Sequence, residues 1–269
     1  MKRLFTFGCS FTKYFWPTWA DIVARDYDFY VNWAKIAVGN AYISASIAEA
    51  NLKYKFTKED TVLIMWTYPT REDRYTHTWC TTNLFNLDPF HNHLGLTEDW
   101  VKKYITTRGL FYKNITSIYF TKKMLDGIGC NYKMLQLVDI TKTCHFNYSI
   151  NSNNSNYIED LIKNFKEVID ILQPSICDVV FKGDWKNIES PWPDFKERPD
   201  LHAIPAEHLE YLKKVINFTP SKETENWVNK MNELVLTNVK EDLCLAKPKP
   251  PKSVIEGWEP EESQLKITL

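Results

Sequence analysis

No stretch of this chain reaches the ~20 consecutive apolar residues of a membrane-spanning helix, and the first apolar run, residues 4–7, gives way at once to a polar turn instead of extending into a signal-peptide core. Net charge is also lacking. The 33 basic and 34 acidic residues leave a formal charge of -1, so bulk electrostatics give no reason to expect nucleic-acid or anionic-membrane binding. The six cysteines (Cys9, Cys80, Cys130, Cys144, Cys177 and Cys244) form no Cys-x-x-Cys pair and no small-domain disulfide framework. Cys9, Cys130 and Cys177 fall in or beside expected strands, where a free thiol behaves as a small core residue, and this fits a reducing compartment. These absences lead us to expect an intracellular, cytoplasmic protein, in which sequons such as Asn114-Ile115-Thr116 are incidental. No internal repeat is present.

What is present is a chain of 269 residues, 44% apolar and 14% aromatic, long enough for one large core. Short runs rich in aromatic and β-branched residues predict strands at 3–7, 29–33, 61–67, 132–138 and 178–181. Between them, Ile43, Ile47, Ala50 and Tyr54 recur at helical spacing. Ile158, Leu161, Ile162, Phe165, Val168, Ile169 and Leu172 form the cleanest amphipathic stripe, ended by Pro174. Strands alternating with helices imply an α/β fold, a three-layer α/β/α sandwich around a mostly parallel five-stranded sheet. Residues 68–100 show little periodicity and read as a long loop insertion after the third strand, of the kind that is usually functional. One broken helix or two consecutive ones over 97–127, an irregular stretch over 184–205, and helices at 207–216 and 220–236 complete one domain, residues 1–245. The last of these helices is expected to be capped by Thr219, with Pro220 at its first position. Residues 246–269 follow as an extended tail whose Lys247-Pro248-Lys249-Pro250-Pro251-Lys252 favours polyproline geometry.

Gly8-Cys9-Ser10-Phe11-Thr12 closes the first strand and precedes a segment that reads as a helix. A serine at such a turn has its hydroxyl at the C-terminal edge of the sheet, where open α/β folds build their sites. A serine hydroxyl becomes a nucleophile when an imidazole takes its proton, and the imidazole works best when a carboxylate fixes its tautomer. Far downstream, Asp200-Leu201-His202 supplies both groups. In the alternative, Ser10 and Asp200 are capping or turn residues and His202 is a surface loop residue.

The block Gly8-Cys9-Ser10-Phe11-Thr12 resembles the Gly-Asp-Ser block of the SGNH (GDSL-type) hydrolases. Asp200-Leu201-His202, followed by Ala206-Glu207-His208-Leu209, resembles their C-terminal Asp-His block and its trailing helix. With Asn32-Trp33-Ala34, Gly39-Asn40 and the run from Trp66-Thr67 through Arg71-Glu72-Asp73, the phrasing is most similar to SGNH-like proteins encoded by tailed phages of marine bacteria. The resemblance covers about residues 1–217. It implies a flavodoxin-like SGNH fold and a serine esterase or deacetylase, with Ser10 as nucleophile, His202 as base, Asp200 as orienting carboxylate and no cofactor. The oxyanion would be held by the backbone N–H groups of Ser10 and Ala37, with Gly39, Asn40 and the Tyr68 hydroxyl as further candidates. The chain departs from the pattern in three places. Its second block reads Lys35-Ile36-Ala37-Val38-Gly39, Tyr68 stands where the family has an oxyanion-binding asparagine, and Asp and His are two positions apart instead of three. Losing one preorganised donor typically costs 10²–10³ in rate, roughly 3–4 kcal/mol.

Expected partners are therefore a small-molecule or carbohydrate ester, with no nucleic acid and no membrane. The alternative is a catalytically weakened or inactive SGNH scaffold that serves as a phage virion or assembly protein. Its tail would make virion or homo-oligomer contacts, and its location would be the host cytoplasm or the virion. Arg71 and Glu72, with Asp73 and Arg74, are candidates for substrate recognition, a guanidinium being suited to carboxylate or phosphate. The favoured alternative is a mutually paired cluster that shapes the loop. His91-Asn92-His93 with His77 lacks metal-site spacing, and no metal is expected. Trp79, Trp100, Trp185 and Trp192 are candidates for a stacking surface or for packing under long loops.

Overall fold

The structure, a computed structural model, describes residues 1–84, 87, 92–143, 158–187 and 200–237. In chain order its elements begin with β1 (Arg3–Phe7), α1 (Trp19–Ala24), β2 (Phe29–Asn32), α2 (Asn40–Tyr54) and β3 (Thr61–Trp66). A hairpin of β4 (Arg71–Tyr75) and β5 (Trp79–Asn83) follows, then α3 (Glu98–Tyr104), α4 (Thr107–Ile128), β6 (Asn131–Gln136) and α5 (Ile140–Thr143). The described part ends with α6 (Glu159–Asn164), α7 (Lys166–Ile169), β7 (Leu172–Ser175), α8 (Ile176–Val179), α9 (Pro205–Ile216) and α10 (Lys222–Leu236).

Five strands form one parallel sheet in the order β2-β1-β3-β6-β7, so the fold is α/β. Parallel strands buried on both faces carry near-continuous apolar runs, and Leu4, Phe5, Phe7, Val62, Ile64 and Met65 are all completely buried. From β1 the chain first steps outward to β2 and then crosses back to β3 on the other side. The connections leaving β1 and β3 therefore diverge, and such a switch point leaves a crevice at the C-terminal ends of the strands. The helices pack as two sets, α2 against α4 and α4 against α7 in one, α1 and α10 against α9 in the other.

Four of the five expected strands lie within a residue or two of their expected bounds, and the fifth does not. Residues 178–181 do not form a strand. Ser175 caps α8 by accepting from the Asp178 N–H at 3.1 Å, and this one-turn helix takes the first half of that run, Asp178 and Val179. The fifth strand is β7, drawn from the end of the expected 158–172 helix, which is instead split into α6 and α7 around the non-helical Phe165. Pro174 is tolerated in β7 because β7 is an edge strand. The helix expected directly after Ser10 starts only at Trp19. Pro17 disfavours helical backbone at Trp16, and Asp21 accepts the Thr18 N–H at 2.9 Å to begin α1 afterwards. Ser221, not Thr219, caps α10, so Pro220 lies outside that helix. The expected loop over 68–100 contains the β4/β5 hairpin and the start of α3. The tail at 246–269 and Trp192 lie outside the described residues.

Candidate active site

Ser10 sits in a turn fixed on every side. The Cys9 carbonyl accepts the N–H groups of Thr12 and Lys13, at 2.9 and 3.2 Å. The Thr12 carbonyl in turn accepts the Thr18 hydroxyl at 2.8 Å and the Asn32 side-chain amide at 2.9 Å. Gly8 permits the tight descent from β1, since a Cβ there would stand 2.0 Å from Thr12 Oγ1 and 3.2 Å from the Met65 carbonyl. The 33–38 loop is fastened to the same strand end by the Lys35 N–H donating to the Gly8 carbonyl at 3.3 Å.

The partner loop is fixed just as firmly by the start of α9. Pro205 occupies the first turn, and the Glu207 carboxylate reaches back to accept the Ile204 N–H at 2.8 Å. The Trp16 indole N–H donates to the Ala203 carbonyl at 2.8 Å and joins this loop to the one carrying Ser10. Between these anchors, the Asp200 Oδ1 accepts the His202 backbone N–H at 2.9 Å, an Asx turn that sets the two-residue spacing.

These supports bring the three residues into line. His202 Nε2 lies 2.7 Å from Ser10 Oγ, and His202 Nδ1 lies 2.6 Å from Asp200 Oδ1. A carboxylate can only accept, so Nδ1 carries the proton and Nε2 is left as the acceptor for the serine hydroxyl. Ser10 and Asp200 are each 5% exposed and the His202 side chain 23%, so the base has an open side while its carboxylate is shielded. The Tyr14 hydroxyl donates to Asp200 Oδ2, and its ring stacks on the imidazole at 3.8 Å and 15°. Phe11 touches His202 from elsewhere, with ring centroids 5.0 Å apart. Chemically, the arrangement can move a proton off Ser10 while holding the resulting imidazolium against a carboxylate.

The candidate oxyanion donors divide. The Gly39 N–H is committed to Asp73 Oδ1 at 2.8 Å. The Asn40 amide donates to the Thr67 carbonyl at 3.1 Å and to Asn114 Oδ1 at 2.7 Å, while its oxygen accepts the Thr67 N–H at 2.8 Å. Gly39 is thereby tied to β4 and Asn40 to the loop after β3, so these N–H groups are already engaged within the protein. Tyr68 packs beside Trp185 at 6.1 Å with the Arg71 guanidinium over its ring at 5.8 Å. For Ser10 and Ala37, no acceptor among the described residues takes the backbone N–H. Ala37 has φ 63°, a left-handed conformation costing an L-residue about 1–2 kcal/mol, of the kind that clusters at functional sites.

The charged cluster turns inward. Arg71 donates to the Val38 carbonyl at 2.6 Å and to Thr67 Oγ1 at 3.2 Å. Glu72 is 6% exposed and pairs with Lys113 at 2.6 Å and Arg74 at 2.7 Å. Arg71 thus ties the loop after β3 to the Val38 turn, and Glu72 ties β4 to Lys113 of α4. Among the described residues no group of three or more His, Cys, Asp or Glu is placed to hold a metal. His77 and His93 are exposed, and His91 lies outside the described residues. Sequence reasoning missed Tyr14, four positions beyond Ser10, and Asn114, which is 1% exposed and whose side-chain amide donates to the Pro69 carbonyl at 2.9 Å. The chain shows significant similarity to no protein-family model, no curated protein and no solved structure.

Proposed function

We propose that this chain is an SGNH-type serine hydrolase that cleaves an acyl ester, such as an acetyl group on a carbohydrate. The observation that carries the reading is the continuous path Ser10–His202–Asp200, with links of 2.7 and 2.6 Å at the C-terminal edge of a parallel sheet. The strand order supports it, being that of a flavodoxin-like sheet, and the two helix sets, α2 with α4 and α7, and α9 with α1 and α10, are those a three-layer sandwich would place on opposite faces. Ser10 Oγ attacks the ester carbonyl as its proton passes to His202 Nε2. Asp200 Oδ1 holds the Nδ1 proton and stabilises the imidazolium. The Ser10 and Ala37 N–H groups receive the developing oxyanion. Collapse expels the alcohol, which leaves with the proton from Nε2, and water deprotonated by the same nitrogen then releases the acid.

A second reading, a weakened scaffold serving as an assembly component of a phage particle, draws on the commitment of Gly39 and Asn40 elsewhere. That commitment leaves two backbone donors and a rate lower by about 10²–10³ than a third would allow. Incubation with a fluorophosphonate probe and a p-nitrophenyl ester series separates the two. The hydrolase reading expects labelling and turnover that vanish in Ser10→Ala. Labelling that survives the substitution removes Ser10 as nucleophile, and no labelling of the unaltered protein favours the scaffold.

A further inference from the structure

We infer that Tyr14 is a positioning residue of this site, holding Asp200 through its hydroxyl and His202 through its ring. The inference rests on the hydrolase reading, since positioning has meaning only for a group that moves a proton.

The two-residue spacing creates the need for it. Asp200 Oδ1 already accepts two bonds from His202, one from the backbone N–H at 2.9 Å and one from the ring at 2.6 Å. Both come from the same residue and the same side, and two bonds to one oxygen leave the carboxylate free to rock about them. The Tyr14 hydroxyl fixes the other oxygen, Oδ2, from a chain segment 186 positions away. With both oxygens held, the plane of the carboxylate is set within a loop that is already anchored.

The ring does a second task. At 3.8 Å and 15° it lies flat on the imidazole, and the far edge of Tyr14 is itself held by Trp16 at 4.6 Å and 83°. A stacked face fixes the imidazole's rotation about its Cβ–Cγ bond, so that Nε2 keeps pointing at Ser10. When Nε2 takes the serine proton, the electron-rich face also favours the cation. The hydroxyl works the other way. By drawing charge toward Oδ2 it moderates the pull of Asp200 on the imidazolium. The groups facing His202 are Asp200, Ser10, Tyr14 and Phe11, together with His208 of α9, which is buried and uncharged in the pH range of the test.

The test uses the full chain as Tyr14→Phe and Tyr14→Leu. Phenylalanine keeps the stack and removes the hydroxyl, so that rates and spectra read near neutral pH report the loss of the hold on Asp200 alone. Leucine also removes the stack, so the imidazole loses its support as well. Misplacement of the base should lower kcat about tenfold in the first variant and about 10²-fold in the second, with KM little changed. The downfield Nδ1 proton resonance of His202 should weaken in both. An Nδ1 resonance and a kcat in Tyr14→Phe identical to those of the unaltered protein overturn the inference, and that comparison stands if Tyr14→Leu fails to fold. A weakened Nδ1 resonance in the variants of a protein without esterase turnover supports Tyr14's hold on the pair while removing the hydrolase reading, so the two failures are told apart.

Discussion

At residue scale the tightest constraint is Gly8. A Cβ there would meet Thr12 Oγ1 at 2.0 Å, Thr12 Cβ at 2.9 Å and the Met65 carbonyl at 3.2 Å. Neither neighbour can retreat. Thr12 is completely buried and its carbonyl is pinned by Thr18 and Asn32, while Met65 is inside β3. Gly8→Ala should therefore push the Ser10 turn away from β3. We expect a loss of about 1–3 kcal/mol in urea unfolding, the usual range for overpacking, together with weaker fluorophosphonate labelling. A variant within ~0.5 kcal/mol of the parent and labelled at the same rate would show that the turn does not depend on this contact. The same logic explains which parts of the site were legible. Ser10 follows an apolar run and a glycine, a local pattern, and Asp200 and His202 are adjacent enough for their pairing to be read from spacing. Tyr14 was not legible because its contacts with Asp200 and His202 reach residues nearly two hundred positions away.

At the scale of elements, α2 shows how the hairpin serves the site. Its N-cap is Gly39, which has no side chain to accept the orphan N–H groups of the first turn. Asp73 of β4 supplies the missing cap from outside, Oδ1 taking the Gly39 N–H at 2.8 Å and Oδ2 the Tyr42 N–H at 3.0 Å, while the Thr81 hydroxyl of β5 donates at 2.5 Å. A Cβ at position 39 would lie 2.6 Å from that carboxylate, so the glycine and the remote cap require each other. Asp73→Ala leaves a buried N–H without an acceptor and uncaps the helix, and should lower stability by about 2 kcal/mol in chemical denaturation. A change below ~0.5 kcal/mol would mean that the helix start is held by something else. Sequence periodicity could not reveal β4, because Arg71-Glu72-Asp73-Arg74 has no apolar alternation and its buried positions are acids satisfied by distant donors. β7 was hidden differently. Pro174 argues against a strand unless the strand lies at the sheet's edge, and edge position is a property of the assembled sheet. By contrast β1, β3, β6, α2 and α9 carry their apolar periods within their own segments, and those were readable from the start.

For the molecule as a whole, the packing of α9 against the sheet makes stability depend on pH through one side chain. His208 is completely buried, and neither ring nitrogen has a hydrogen-bond partner among the described residues. Burial, with a smaller contribution from the neighbouring His202, pushes its pKa down from 6.5 to about 3. The folded protein thus refuses a proton that the unfolded chain accepts below pH 6.5. Protons bound in the unfolded state exceed those in the folded state between about pH 6.5 and 3, so stability falls as pH falls through that window. From pH 7.5 to 5 the loss should be on the order of 2 kcal/mol, before most carboxylates begin to protonate. His208→Leu removes the titrating group and places an apolar side chain beside Phe11, whose ring lies 6.2 Å from the imidazole. Its absolute stability can shift in either direction with the fit of the new side chain, but its slope between pH 7.5 and 5 should be flatter than the parent's. Urea midpoints at the two pH values for both proteins decide the matter, and an undiminished slope in His208→Leu would place the acid sensitivity elsewhere in the molecule.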